Sequence, residues 1–168
     1  MKKIILNSED IINKIKRISF EIIEKNINEN EIYLVGLMPN GKYLSENISK
    51  YISENSNINV KVIFIKMDKK NYTLKEITSE ITSEIDLKDL HKKIIVFVDD
   101  VMNSGTTLIY ALKKFLSYNP KEIQIGVLIE RNYKNFPIVS NYKGLELSTS
   151  KEEHVEVILG DTPKVIIS

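Results

Sequence analysis

The chain has no cysteine, which excludes disulfides and thiolate metal sites. Histidine occurs only as His91 and His154, far apart and without partner spacing, so a histidine-ligated metal is not expected. No apolar run approaches the roughly 18 residues that a membrane-crossing helix needs. The short apolar start, MKKIIL, meets Glu9 and Asp10 too soon to be the core of a secretory signal. An excess of one charge is also lacking: 24 Lys and Arg stand against 23 Asp and Glu, a net charge of +1, so no global field draws in nucleic acid. There is no internal repeat and no low-complexity linker. These absences leave the expectation of a cytoplasmic globular protein. Its 168 residues suit one domain with a single core, and its 42% hydrophobic and 28% charged fractions are ordinary for such a fold. The abundance of Ile, Lys and Asn reads as coding bias rather than function.

What is present is an alternation of apolar runs with helical periodicities. Ser8 before Glu9 and Asp10 predicts a helix start, with Ile11, Ile15, Ile18 and Ile22 on one face. Ile32–Leu37 predicts a buried strand, Pro39-Asn40-Gly41 a turn, and Leu44, Ile48, Tyr51 and Ile52 the inner stripe of a second helix. Val60–Ile65 predicts a strand. Lys66–His91 turns polar and charged and reads as a long surface excursion, a mobile flap. Strands are expected at Ile94–Val98 and Ile123–Ile129, and short β pieces around Pro137, Val155–Leu159 and Lys164–Ile167. Strands that are apolar throughout, alternating with helices, predict an α/β fold with a mostly parallel sheet covered on both faces.

The stretch IIVFVDDVMNSGTTLIYALKKF, Ile94 to Phe115, carries the chemistry. It predicts a strand, a loop at Asp99–Gly105, and a helix at Thr106–Leu116 with Leu108, Ala111, Leu112 and Phe115 inward. In open parallel sheets, ligands bind beyond the carboxyl ends of the strands, where Asp99 and Asp100 fall. Ser104, Gly105, Thr106 and Thr107 stand at a helix N-terminus, where unpaired N–H groups favour an anion. Gly105 permits close backbone approach. Paired carboxylates suit sugar hydroxyls or a hydrated Mg²⁺. A ligand with a phosphate, a ribose and a magnesium-bound diphosphate satisfies both ends.

VFVDDVMNSGTT resembles the phosphoribosyl diphosphate (PRPP) signature of the type I phosphoribosyltransferases: apolar residues, two acids, three spacers, then Ser/Thr-Gly-x-Thr/Ser. The likeness extends along nearly the whole chain. LVGLMPNGKYLSENISKYI is similar to the first strand, diphosphate loop and helix of the pyrimidine-operon attenuation regulators in that family, which are also uracil phosphoribosyltransferases. Their C-terminal hood segment is matched at Arg131, Pro137, Ile138, Tyr142, Gly144, Thr149 and Ser150. The resemblance implies a type I phosphoribosyltransferase fold, with a central mostly parallel sheet, a hood mainly at 130–168 and a flexible flap at about 66–91. It implies that Asp99 and Asp100 hold the ribose hydroxyls, with Mg²⁺ carried by PRPP and shared with these carboxylates. Asn103, Ser104, Gly105, Thr106 and Thr107 would cradle the 5′-phosphate, and Met38, Pro39, Asn40 and Gly41 would form the diphosphate loop. The hood near Ile129–Tyr133, with Glu130, Arg131 and Tyr133, would hold the base. The implied partners are PRPP, a nucleobase and a second copy of the chain in a homodimer. The implied activity is nucleotide salvage, with diphosphate released as a ring nitrogen attacks the anomeric carbon.

Three departures bear on that expectation. Related regulators read Lys-Thr-Arg-Gly where this chain reads Met38-Pro39-Asn40-Gly41, so two cations are missing from the diphosphate loop. Lys66, Lys69 and Lys70 either compensate or form a plain solvated surface. Pro39 also opens the option of a cis peptide, although most X-Pro bonds are trans. Asn103 stands where 6-oxopurine transferases carry an aspartate base; Asn cannot take a proton, which favours a pyrimidine, unless Asn103 is only a turn residue. An RNA-binding face needs a basic stripe, but Lys134, Lys143 and Lys151 are interleaved with Glu146, Glu152, Glu153 and Glu156. RNA remains a partner that charge does not support. Arg131 is either a site residue or an ion pair with Glu130, while Tyr133 and Phe136 suit packing more than base stacking. Two functions compete: a phosphoribosyltransferase favouring a uracil-like base, and a non-catalytic PRPP or nucleotide sensor reporting to a protein or RNA. A purine transferase is argued against by Asn103.

Overall fold

In the computed structural model, which describes residues 2–79 and 86–168, Asn7 rather than Ser8 caps the first helix. The Asn7 side chain accepts from the Asp10 N–H, and the Asp10 carboxylate accepts from the Asn7 N–H, each at 2.9 Å. This reciprocal pair satisfies donors that the helix itself leaves free. Ser8 is turned away and donates to the Pro163 carbonyl (2.9 Å).

The elements follow as β1 (Lys3–Leu6), α1 (Ser8–Lys25), β2 (Glu31–Leu37), α2 (Asn40–Asn55), β3 (Asn59–Met67) and β4 (Leu74–Ser79). After a 3-10 turn at Leu87–Leu90 come β5 (Ile94–Met102), α3 (Thr106–Leu116), β6 (Glu122–Arg131), β7 (Tyr142–Leu147), β8 (Val155–Ile158) and β9 (Lys164–Ile167). The main sheet has the order β4-β3-β2-β5-β6-β7 and is parallel except for β4 at its edge. A separate antiparallel sheet, β1-β9-β8, joins the two ends of the chain. This is the α/β architecture that the alternating pattern predicts.

Alternation along the strands divides the core. Ile32, Leu34, Val62, Phe64, Ile94, Val96 and Val98 face α1 and α2, meeting Ile11, Ile15, Ile18, Ile22, Leu44, Ile48 and Ile52. Tyr33, Val35, Ile63, Ile65, Ile95 and Phe97 face α3, meeting Leu108, Ala111 and Phe115. Phe97 and Phe115 pack edge to face, with ring centroids 5.1 Å apart. With both faces covered, the strands can be apolar throughout.

Three elements differ from expectation. β1 was not foreseen, because four residues carry no periodicity and its partner β9 lies at the other end of the chain. No strand forms around Pro137; the sheet continues instead with β7, from Tyr142. The excursion from Lys66 is partly regular: β3 runs to Met67, and β4 returns beside it, pairing Ile65 with Ile77 and Lys66 with Glu76. Leu74 and Ile77 pack onto the α3 side of the core, which accounts for a strand in an otherwise polar stretch. Residues 80–85, at the centre of the expected flap, lie outside the described residues. Within the expected hood, Glu130, Arg131 and β7 belong to the main sheet, whereas β8 and β9 belong to the small one. Among the described residues, no helix is long and apolar enough to cross a membrane.

Candidate active site

β5 does not stop at Val98. It continues through Asp99 and Asp100 to Met102, so the expected loop begins only at Asn103. The reason is one-sided pairing. β2 accompanies β5 no further than Gly36 beside Val98, whereas β6 continues alongside, placing Asp99 next to Val127 and Met102 next to Glu130. Two carboxylates are thus tolerated on a central strand, because that strand overshoots its neighbour and opens a cleft.

Within this cleft the Asp100 N–H donates to Asp99 Oδ1 (2.9 Å) and the Val101 N–H to Asp100 Oδ1 (2.8 Å). Asn40 Nδ2 donates to Asp100 Oδ2 (2.7 Å) and to the Val157 carbonyl (3.0 Å). The Asn40 amide therefore ties the start of α2 to the acidic pair and to the small sheet. Desolvation, followed by the adjacent Asp100 carboxylate, pushes the Asp99 carboxyl well above its ordinary value of 3.8. The unfolded chain then loses this proton at lower pH than the native protein does, so native stability falls as pH rises from the unfolded to the native value. Asp99→Asn is accordingly expected to raise the melting temperature of the ligand-free protein at pH 7. Each pKa unit is worth about 1.4 kcal/mol, or roughly 3–5 °C for a chain of this size. The gain should disappear in melts below about pH 3.8, where both states are protonated. A variant with an unchanged melting temperature at pH 7 would contradict this origin.

The loop after β5 turns on Gly105, which has φ +81° and precedes α3 without a capping side chain. A Cβ there would lie 2.3 Å from Ile138 Cγ2, so glycine is required by both conformation and space. Ser104 Oγ and Thr106 Oγ1 are 2.8 Å apart, and Ser104 Oγ accepts from the Thr106 N–H (3.3 Å). The first turn of α3 therefore presents hydroxyls and free N–H groups together.

Two adjoining compartments result. One, of about 240 Å³, is lined by Asn103, Ser104, Gly105, Thr106 and Thr107, with Asp99, Lys69 and Tyr72. The other, of about 340 Å³, is lined by Met38, Pro39, Asn40, Asp99 and Asp100, with Met67, Lys69, His154 and Val155. Lys69, Asp99, Val101, Asn103 and Thr107 border both, making one continuous cleft. The Met38–Pro39 peptide is cis. Gly41 lies beneath the cleft, packed against the Val98 carbonyl.

Glu130, Arg131 and Tyr133, expected to hold the base, line neither compartment. Glu130 is buried, accepts from Ser140 Oγ (2.5 Å), and pairs with Lys134 (3.3 Å) and Lys143 (3.1 Å). Burial alone would raise its carboxyl. The Ser140 and Lys143 hydrogen bonds and the nearby Lys134 charge outweigh this and hold it below the ordinary range. Tyr133 lies under the Lys151 ammonium, 5.1 Å from its ring centroid, and Phe136 packs into the core. Arg131 is not paired with Glu130, because successive residues on a strand point to opposite faces. Its buried guanidinium reaches Asn103 Oδ1 (3.1 Å), Thr149 Oγ1 (2.6 Å) and the carbonyls of Ser150 (2.7 Å) and Glu153 (2.9 Å). It thus joins the glycine loop to the segment that leads into β8. Sequence reasoning missed Met67, Tyr72, His154 and Val155 as cleft residues. They come from remote segments and carry no local motif.

The model of the phosphoribosyl transferase domain matches residues 1–160. The chain belongs to the phosphoribosyl transferase domain family. The bifunctional protein PyrR of Fusobacterium nucleatum subsp. nucleatum is 34% identical to it over 171 residues, covering 94% of this chain and 90% of that protein. The bifunctional protein PyrR of Bacillus cereus strain AH820 is 31% identical over 166 residues, covering 96% and 92%. Among solved structures, the hypoxanthine phosphoribosyltransferase of Trypanosoma cruzi matches with a TM-score of 0.75 at 15% identity, covering 98% of this chain and 95% of that one. A hypoxanthine-guanine phosphoribosyltransferase of Bacillus anthracis matches with a TM-score of 0.71 at 17% identity, covering 91% and 86%. The architecture is the type I phosphoribosyltransferase fold, and the cleft lies at the carboxyl ends of β2 and β5 within it.

Proposed function

We propose that this phosphoribosyltransferase moves phosphoribose from PRPP to a pyrimidine base, uracil or a close relative, and releases diphosphate. The observation that carries the reading is the continuous cleft, with an anion cradle at one end and a carboxylate pair at the other, sharing Asp99 and Thr107. Two adjoining compartments with a shared border suit one ligand bearing a 5′-phosphate, ribose hydroxyls and a diphosphate. The base preference is supported by the pyrimidine-regulator resemblance and by Asn103, which offers no proton acceptor to a purine ring.

In this reading the α3 N-terminus and Ser104–Thr107 bind the 5′-phosphate, and the Asp99 and Asp100 carboxylates orient the ribose. Among the described residues, no cluster of three or more His, Cys, Asp or Glu side chains is placed to hold a metal alone. The Asp99 and Asp100 carboxylates would hold a Mg²⁺ carried by PRPP; bound there, it would supply charge for the departing diphosphate. The C1–oxygen bond breaks, and its electron pair leaves with diphosphate. The lone pair of a ring nitrogen forms the new C1–N bond, and the ring proton passes to solvent. Positioning and charge stabilisation supply the catalysis.

Asp100→Ala and Thr107→Ala are each expected to weaken Mg²⁺-PRPP binding by about tenfold or more, equivalent to ~1.4 kcal/mol. Calorimetry with the purified variants measures this; full affinity in both would sink the assignment. A second reading, a sensor that binds ligand without turnover, is favoured by one observation: Met38, Pro39 and Asn40 bring no cation to the second compartment.

A further inference from the structure

The residues at the turn between β3 and β4 belong to no part of the family signature, yet two of them, Lys69 and Tyr72, line the cleft. The Asp68 N–H donates to the Thr73 carbonyl (2.7 Å), and Asp68 Oδ1 accepts from the N–H groups of Lys70 (2.7 Å) and Asn71 (3.2 Å). The turn is therefore organised from within by an aspartate hydrogen-bonded to its own backbone. Tyr72 then adopts φ +51°, a conformation uncommon for a bulky residue. Its ring stacks on Tyr110, with centroids 4.9 Å apart and planes 16° from parallel. Tyr110 lies on α3, the same helix whose N-terminus builds the anion cradle. The turn is thus fastened to the cradle's own helix.

The result is the placement of Lys69. Among the described residues, it is the one lysine or arginine that lines either compartment, and it lines both. Its charge acts on Asp99, where it opposes the upward pull of desolvation. Lys69 is exposed, as are Lys66 and Lys70 on either side of it, but those two border neither compartment. Tyr110 borders neither; it faces a separate groove lined also by Asn71, Tyr72, Leu74, Lys113 and Lys114.

We propose that Lys69 supplies the diphosphate of PRPP with the cation that Met38-Pro39-Asn40-Gly41 lacks, and that Tyr110, through its stack on Tyr72, is a positioning residue for Lys69. The inference rests on the PRPP reading above. It assigns a ligand-binding role to a side chain outside the family motif and an indirect one to a side chain outside the cleft. A lysine is a flexible point charge, so its usefulness depends on the segment that carries it being held. The stack performs that holding, and phenylalanine would serve equally, since the phenol oxygen takes no part in it.

The test is calorimetric titration of the full chain with Mg²⁺-PRPP and, separately, with ribose 5-phosphate. Lys69→Met is expected to weaken PRPP about 10- to 100-fold and ribose 5-phosphate by less than about threefold, in line with losing one charge-assisted contact. Lys69→Arg should retain most of the affinity. Tyr110→Ala should weaken PRPP about three- to tenfold, with Tyr110→Phe restoring it. The double variant Lys69→Met/Tyr110→Ala should bind PRPP no worse than Lys69→Met, since both changes remove one interaction. PRPP affinity unchanged by Lys69→Met, equal losses for both ligands, or additive effects in the double variant would each overturn the proposal. Absence of PRPP binding in the unmodified protein would overturn the PRPP reading itself, and this inference with it.

Discussion

Gly41→Ala is expected to destabilise the protein by about 2–3 kcal/mol and to reduce PRPP binding by more than tenfold. A Cβ at Gly41 would lie 2.6 Å from the Val98 carbonyl oxygen and 3.2 Å from the Gly36 carbonyl carbon. Both neighbours are backbone, so no side chain can rotate away. Gly36 is crowded from the other direction: a Cβ there would meet Ser45 Oγ at 2.5 Å and the Gly41 oxygen at 2.6 Å. The two glycines let the start of α2 lie directly on β2 and β5. An alanine must lift that helix end, and Asn40 moves with it. Asn40 is the residue whose amide holds Asp100 and the Val157 carbonyl. Stability and binding should therefore fail together. Thermal unfolding should show a melting temperature lower by roughly 4–12 °C, at 2–4 °C per kcal/mol for a chain of this size. A variant that melts like the parent would show that the contact relaxes freely.

Arg131→Met is expected to cost about 3–4 kcal/mol. The guanidinium is only 6% exposed, and all four of its acceptors are uncharged. Methionine fills much of the same volume but leaves the Ser150 and Glu153 carbonyls and the Thr149 hydroxyl without that donor. It also frees Asn103, at the entrance to the glycine loop. Arg131→Lys should recover only part of the loss, because an ammonium cannot span the fork of acceptors on two separate segments. Denaturant titration of the two variants separates these effects. Equal stability of Arg131→Met and parent would remove Arg131 as the link between the loop and the 148–153 segment.

The parts of this fold that were legible share one property: their information is local. β2, β3, β5 and β6 announce themselves as apolar runs, and α3 was expected at the bounds it occupies, Thr106–Leu116, because its inward residues recur at helical spacing. The acidic pair and the glycine loop were legible for the same reason, being contiguous. What escaped depends on distant partners. β1 is four residues paired with β9, β4 is a strand because β3 lies beside it, and β5 runs past Val98 because β6 does. Capping at Asn7 instead of Ser8 was decided by which oxygen could reach the Asp10 N–H, with Ser8 diverted to Pro163. In the cleft, Lys69 could be named only as one of three lysines with an alternative as plain surface. The Tyr72–Tyr110 stack, which sets it apart, joins residues on a hairpin turn and a helix. The two readings of Arg131, site residue or partner of Glu130, both miss its network, because its acceptors lie at 103, 149, 150 and 153.

Phosphoribose transfer from PRPP liberates diphosphate, so diphosphate release reads the proposed reaction itself. The protein, Mg²⁺ and PRPP are combined with uracil, cytosine, orotate, hypoxanthine, guanine, adenine or xanthine in turn, and diphosphate is measured. Transfer to a pyrimidine entails base-dependent release with uracil and little with the purines. No release with any base, from folded protein that binds PRPP, would contradict it and leave a ligand sensor.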